Sequence, residues 1–168
     1  MNKKILLLIL LILFFFAVLY LGHNPSVSIL KHKTGFAPDF TLQDIYGKKF
    51  KLSSLKEYPV VIFFGTTWCP QCRSEMTALK NHYDQYVQRG LKIIYIDINE
   101  SAERVSRFAQ KNSYPGLVLL DLDGSVAYDY DVRGVPTIFL VDETGKIKGE
   151  GRKISDLSFD VLFPDKMK

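Results

Sequence analysis

One stretch constrains this chain more than any other. Val60-Val61-Ile62-Phe63-Phe64 leads through Gly65-Thr66-Thr67-Trp68 into Cys69-Pro70-Gln71-Cys72. The run from Pro59 to Phe64 is continuously apolar and rich in β-branched and aromatic residues, which reads as a strand buried on both faces. A short turn follows, and then the 3.6-residue periodicity of a helix over about Cys69–Gln88, with Met76, Leu79, Tyr83, Tyr86 and Val87 as its apolar stripe. The chain must therefore deliver a buried strand directly into a helix whose first turn carries two cysteines.

Those are the only two cysteines in 168 residues. A disulfide between them closes too small a ring to staple a fold, so the pair is better read as redox chemistry. A metal pair or a chance Cys-x-x-Cys is the blander reading. Pro70 suits the first helical position, where its missing N–H costs nothing. Cys69 then stands at the helix N-terminus, where free backbone N–H groups favour the thiolate. Cys72 lies on the same face one turn deeper. The spacing predicts an exposed attacking thiol, Cys69, and a sheltered resolving thiol, Cys72.

Lys3 and Lys4 precede an unbroken apolar run from Ile5 to Leu21. At about 1.5 Å per residue such a run reaches about 25 Å, enough to cross a thin bilayer. It is longer than the core of an ordinary cleaved signal, and no Ala-x-Ala-like site follows. The expectation is an uncleaved signal-anchor over residues 1–21, a linker over 22–36 and one domain over 37–168, facing outward from the cell membrane. Net charge is +4, of which the basic tip supplies two units, so nucleic acid is not an expected partner. No Gly-rich phosphate loop appears, and no cofactor is expected.

Within the domain, Phe40 and Leu42 alternate with polar residues up to a turn at Tyr46–Lys49, which predicts a β-hairpin ending near Leu52. Ser53 is placed to cap a short helical turn through Leu55. Strands are expected over Leu91–Ile98, Leu117–Leu120 and Val135–Val141, with a hairpin turn at Thr144-Gly145 before Lys146-Ile147-Lys148. Helices are expected over Ser101–Asn112, with Ser101 as cap, and over Gly124–Asp131 and Ser155–Leu162. This alternation is that of an α/β sheet with helices on both faces. Pro136 begins an otherwise β-rich run. It is either a simple strand start or a cis proline that leaves the backbone of Val135 free to pair with an incoming chain.

Trp68-Cys69-Pro70-Gln71-Cys72, together with Gly134-Val135-Pro136-Thr137, resembles the thioredoxin superfamily. Ala37-Pro38-Asp39-Phe40-Thr41-Leu42, Gly47-Lys48, Leu52-Ser53-Ser54-Leu55-Lys56 and Asp121-Leu122-Asp123-Gly124 are similar to its ResA/TlpA branch. The resemblance covers about Gly35 to Gly151. It implies a thioredoxin-like fold with a central mixed sheet, flanking helices and an N-terminal hairpin, and a cis bond before Pro136. It also implies an exported thiol–disulfide reductase that docks its substrate on Trp68, Pro70, Val135 and Pro136. Glu75 matches the branch's active-site glutamate; by its place alone it also reads as an exposed acid that suits the first turns of a helix. The usual substrate there is the oxidised Cys-x-x-Cys-His segment of apocytochrome c, and electrons usually come through a membrane thiol carrier. The chain departs from the pattern at Phe63, where thioredoxins carry a buried Asp, at Thr77, where the branch often has proline, and around Gly65-Thr66.

Rival readings fare less well on the same residues. A peroxiredoxin would need proline where Ile62 stands. A copper or zinc chaperone needs ligands beyond two thiolates. A disulfide-donating oxidase wants positive charge inside the motif, which Pro70-Gln71 does not supply.

Overall fold

The computed structural model of the chain describes residues 35–163; the expected anchor at Ile5–Leu21 and most of the linker lie outside the described residues. Thirteen elements follow in order. Strands β1 (Thr41–Asp44) and β2 (Lys49–Lys51) make the predicted hairpin, and a 3-10 turn (Leu52–Leu55) follows. Then come β3 (Val60–Gly65), α1 (Pro70–Val87), β4 (Lys92–Ile98), α2 (Ala102–Asn112), β5 (Leu117–Asp121) and the short α3 (Ser125–Asp129). The chain closes with β6 (Thr137–Val141), β7 (Ile147–Gly151) and two 3-10 turns, Ile154–Asp156 and Phe159–Leu162.

The strands form one mixed sheet in the order β2-β1-β5-β4-β3-β6-β7. β3, β4 and β5 are parallel neighbours, while β1, β6 and β7 each run antiparallel to the strand they join. β3 is buried at every position, as its unbroken apolar run demands. One face of the sheet packs Met76 and Leu79 of α1, Val105 and Ala109 of α2, and Ile154, Phe159 and Leu162 of the closing turns. The other face packs Val126, Ala127 and Tyr130 with Phe40 and Leu52. This is the thioredoxin-like arrangement that the resemblance implies.

Three local expectations change. Ser53 caps nothing; its own N–H donates to Asp39 Oδ1, while Lys51 stands at the cap position without a side-chain bond. The predicted helix over Ser155–Leu162 is two 3-10 turns, because Leu157 and Ser158 between them are extended. On α1, Met76 and Leu79 are buried and Tyr86 stacks between Phe159 and Phe163, but Val87 in the last turn is exposed; the Tyr83 side chain lies outside the described residues. Ser101 does cap α2, accepting from the Arg104 N–H at 3.4 Å.

Candidate redox site

Parallel β3 ends at Gly65, and the next four residues turn the chain into α1. Gly65 faces the Tyr95 phenol of β4 so closely that a Cβ there would lie 2.6 Å from its hydroxyl oxygen, so only glycine fits. The turn that follows is fixed by charge. Glu100 accepts from both the N–H and the hydroxyl of Thr67, the latter at 2.7 Å. Arg104 pairs with Glu100 at 2.8 Å and donates to Thr67 Oγ1 at 3.0 Å, while Arg73 donates to the Thr67 carbonyl at 3.2 Å. Trp68, next in line, is left 61% exposed.

Cys69 is the N-cap of α1 and Pro70 its first residue. The Cys69 sulfur accepts from the Cys72 N–H at 3.1 Å and is joined to Cys72 in a disulfide. The attacking position is less open than the spacing predicts. Cys69 is 5% exposed and Cys72 0%, because both sulfurs sit in the core cluster with Ile138 and Ile154. The order of access is as expected: only Cys69 reaches the surface, beside Trp68.

The Val135–Pro136 peptide is cis. The Val135 carbonyl oxygen lies 4.0 Å from Cys69 Sγ. A cis Pro136, one of the two readings open to the sequence, is expected to leave the Val135 backbone free, but this oxygen is occupied: Arg152 Nη2, 17 residues further along the chain, donates to it at 2.9 Å. Gly134 makes room for that guanidinium, since a Cβ there would stand 3.0 Å from Arg152 Nη1.

Glu75 is 8% exposed, so it is not a surface acid. Its Oε1 accepts from Gln71 Nε2 at 2.6 Å and its Oε2 from the Ile154 N–H at 2.8 Å. A residue between the two cysteines and a backbone donor 79 residues away thus hold one carboxylate.

Sequence reasoning passed over Asp97. It stands across from Gly65 in the ladder, is 1% exposed, and neither carboxylate oxygen has a hydrogen-bond partner among the described residues. Burial, and then the neighbouring Glu100 charge, push its pKa up to about 8, while Arg104 pulls the other way. Burial likewise raises the Tyr95 phenol, and lifts that of Tyr114 to about 12. Both hydroxyls also lack a hydrogen-bond partner among the described residues. Asp121 shows the contrast: equally buried, it accepts from the Val126 and Ala127 N–H groups and caps α3. An acid inside the apolar run Ile93–Ile98 was the available signal for Asp97. Arg152 had no local signal at all.

A mixed sheet that feeds a Cys-x-x-Cys pair into a helix N-terminus, opposite a cis proline, defines a thioredoxin-like redox protein. Residues 35–149 match the AhpC/TSA family, and the chain belongs to that family. It is similar to the thiol-disulfide oxidoreductase ResA of Bacillus subtilis, at 36% identity over 66% of this chain and 62% of that protein. The ResA of Bacillus thuringiensis subsp. konkukian is also 36% identical, over 70% of each chain. The chain thus spans less than two thirds of the Bacillus subtilis relative's length. Among solved structures, the thioredoxin domain of a thiol-disulfide oxidoreductase from Bacteroides vulgatus superposes with a TM-score of 0.69 at 25% identity, covering 77% of this chain and 94% of that one. The Cys69–Cys72 disulfide at the start of α1 is the candidate redox pair of this site.

Proposed function

We propose that the chain is an exported, membrane-anchored reductase of protein disulfides. Its best-matching substrate is an oxidised Cys-x-x-Cys segment such as the Cys-x-x-Cys-His of apocytochrome c before haem attachment. The observation that carries this reading is the unequal access of the two sulfurs, with Cys69 at the helix N-terminus beside Trp68 and Val135, and Cys72 enclosed behind it. The Cys69 thiolate attacks one substrate sulfur, and the other substrate sulfur leaves as a thiolate. Cys72 then attacks Cys69, which releases the reduced substrate and re-forms the enzyme disulfide. Glu75 accepts the Cys72 proton in that second step, directly or through water. Electrons return through a membrane thiol carrier.

Export rests on Lys3-Lys4 and the apolar run from Ile5 to Leu21. Docking on Trp68, Pro70, Val135 and Pro136 is supported by the sequence neighbours of Cys69 and by the Val135 carbonyl 4.0 Å from its sulfur. A second reading, a disulfide donor, is favoured by one feature, the Arg152 guanidinium on the Val135 carbonyl that lies 4.0 Å from the Cys69 sulfur. The reduction potential separates them. A reductase lies near the roughly −270 mV of thioredoxin, whereas a value near the roughly −120 mV of DsbA would make the protein an oxidant. Single-turnover reduction of an oxidised Cys-x-x-Cys-His peptide tests the substrate class, and a peptide that is not reduced faster than a scrambled disulfide would remove it.

A further inference from the structure

Arg152 stands one residue beyond the last rung of the β6–β7 ladder, where Gly151 pairs with Ile138. Two residues later the Ile154 N–H is spent on Glu75. The segment between is therefore tied at both ends, and it places one cation and one anion holder against the same helix terminus. Arg152 Nη2 bonds the Val135 carbonyl at 2.9 Å, and that oxygen is 4.0 Å from Cys69 Sγ. The guanidinium nitrogen and the sulfur are then no more than about 7 Å apart.

We propose that Arg152 is the electrostatic positioning residue of the redox site: it holds the Val135 carbonyl in the disulfide form and stabilises the Cys69 thiolate once the disulfide is reduced. This rests on Cys69 being the attacking thiol. In the disulfide both sulfurs are neutral, and the guanidinium satisfies itself on the carbonyl. On reduction a donor dithiol is oxidised to its disulfide and the Cys69–Cys72 bond breaks with the transfer of two electrons. Cys72 takes one of the two donor protons, the second goes to solvent, and Cys69 is left as the thiolate. An anion then appears within reach of a cation that was neutral in its effect before.

Other charged groups lie near the site, most of them with a partner. Asp131 and Arg133, just before the cis proline, pair with each other. Arg73 on α1 is bound to the Thr67 carbonyl, and Glu100 beneath the turn is paired with Arg104. Glu75 is held by Gln71 and Ile154, and Asp97 is buried beneath the turn. Glu75 opposes ionisation of the thiols from the inner side, and Arg152 favours it from the outer side, next to exposed Lys153. The site thus carries the extra positive charge that the residues between its cysteines lack.

At about 7 Å, with a dielectric between half that of water and its full value, one cation lowers the midpoint of a thiol by about half a unit to nearly one unit. The test is the pH profile of iodoacetamide alkylation of the reduced full-length chain, with the labelled cysteine identified by peptide mass. Arg152→Gln keeps a hydrogen-bond donor for Val135 and removes the charge; Arg152→Lys keeps the charge. The expected result is a Cys69 midpoint raised in Arg152→Gln by about half a unit to nearly one unit, with about three- to sevenfold less thiolate below the midpoint. Arg152→Lys restores most of the loss, and 1 M salt shrinks the difference. At equilibrium with glutathione, Arg152→Gln shifts by a similar factor toward the disulfide. A Cys69 profile in Arg152→Gln that superimposes on the parent overturns the proposal. Labelling of Cys72 before Cys69 overturns the assignment of the attacker itself, and with it the proposal.

Discussion

Asp97→Asn is the substitution with the largest expected effect on stability. The carboxyl is 1% exposed, both oxygens lack partners among the described residues, and its pKa rises from the usual 3.8 to about 8, first from burial and then from Glu100. In the unfolded chain the group ionises near its ordinary value. Between about pH 4 and 8 the folded state therefore holds a proton that the unfolded state has released. Stability falls as pH rises through that window and levels off above about 8. Each unit costs about 1.4 kcal/mol, so the loss at pH 7 is of the order of 4 kcal/mol relative to the acid limit. Asparagine keeps the shape and never ionises. The assay is urea unfolding of the oxidised protein at intervals from pH 5 to 9, parent and variant in parallel. The stability of Asp97→Asn relative to the parent should grow by about 1.4 kcal/mol per unit up to about pH 8 and then stay constant. Taking the difference cancels the titrating groups that do not interact with Asp97. Two curves that remain parallel from pH 5 to 8 would show that Asp97 ionises at its ordinary value, and the reasoning would fail.

Glu75→Gln keeps the bond from Ile154 but removes the negative charge; the alkylation profile of the thiols should move to lower pH, and resolution of the mixed disulfide should slow on the order of 10²-fold while first attack is spared. Unchanged profiles and rates would reduce Glu75 to a structural tie between α1 and the closing turn. Gly65→Ala pushes a methyl group into the Tyr95 hydroxyl and should cost about 1–3 kcal/mol in chemical denaturation; a neutral result would mean that the Tyr95 ring moves aside at no cost.

The parts of this molecule that were legible in its sequence are those governed by local rules. β3 and β4 could be read because buried parallel strands are apolar throughout, and α1 because Pro70 and the cysteines mark its first turn. Pro136 could be read as special because proline does not belong inside a sheet without a reason. What could not be read depends on residues far apart in the chain. Glu75 has the pattern of an exposed helix acid until Ile154 is brought over it, and Val135 has a free carbonyl until β7 delivers Arg152. The closing segment Ser155–Leu162 reads as a helix because Phe159 and Leu162 are apolar three residues apart, while the break at Leu157 and Ser158 is set by packing. Asp97 is different. An acid in the middle of Ile93–Ile98 was plainly visible, and only the rule that a buried polar group finds a partner concealed its significance.

Every step of the reductase account depends on Cys69 attacking first and Cys72 releasing the product. Cys72→Ser removes the only resolving sulfur and leaves Cys69 and its Val135 and Arg152 neighbours in place. Incubated with an oxidised Cys-x-x-Cys-His peptide, the variant should accumulate a stable mixed disulfide joining the peptide to Cys69, visible as a single mass adduct that dithiothreitol removes. Cys69→Ser should form none. An adduct that accumulates on Cys72 in the Cys69→Ser protein, with none on Cys69 in the Cys72→Ser protein, would contradict the account.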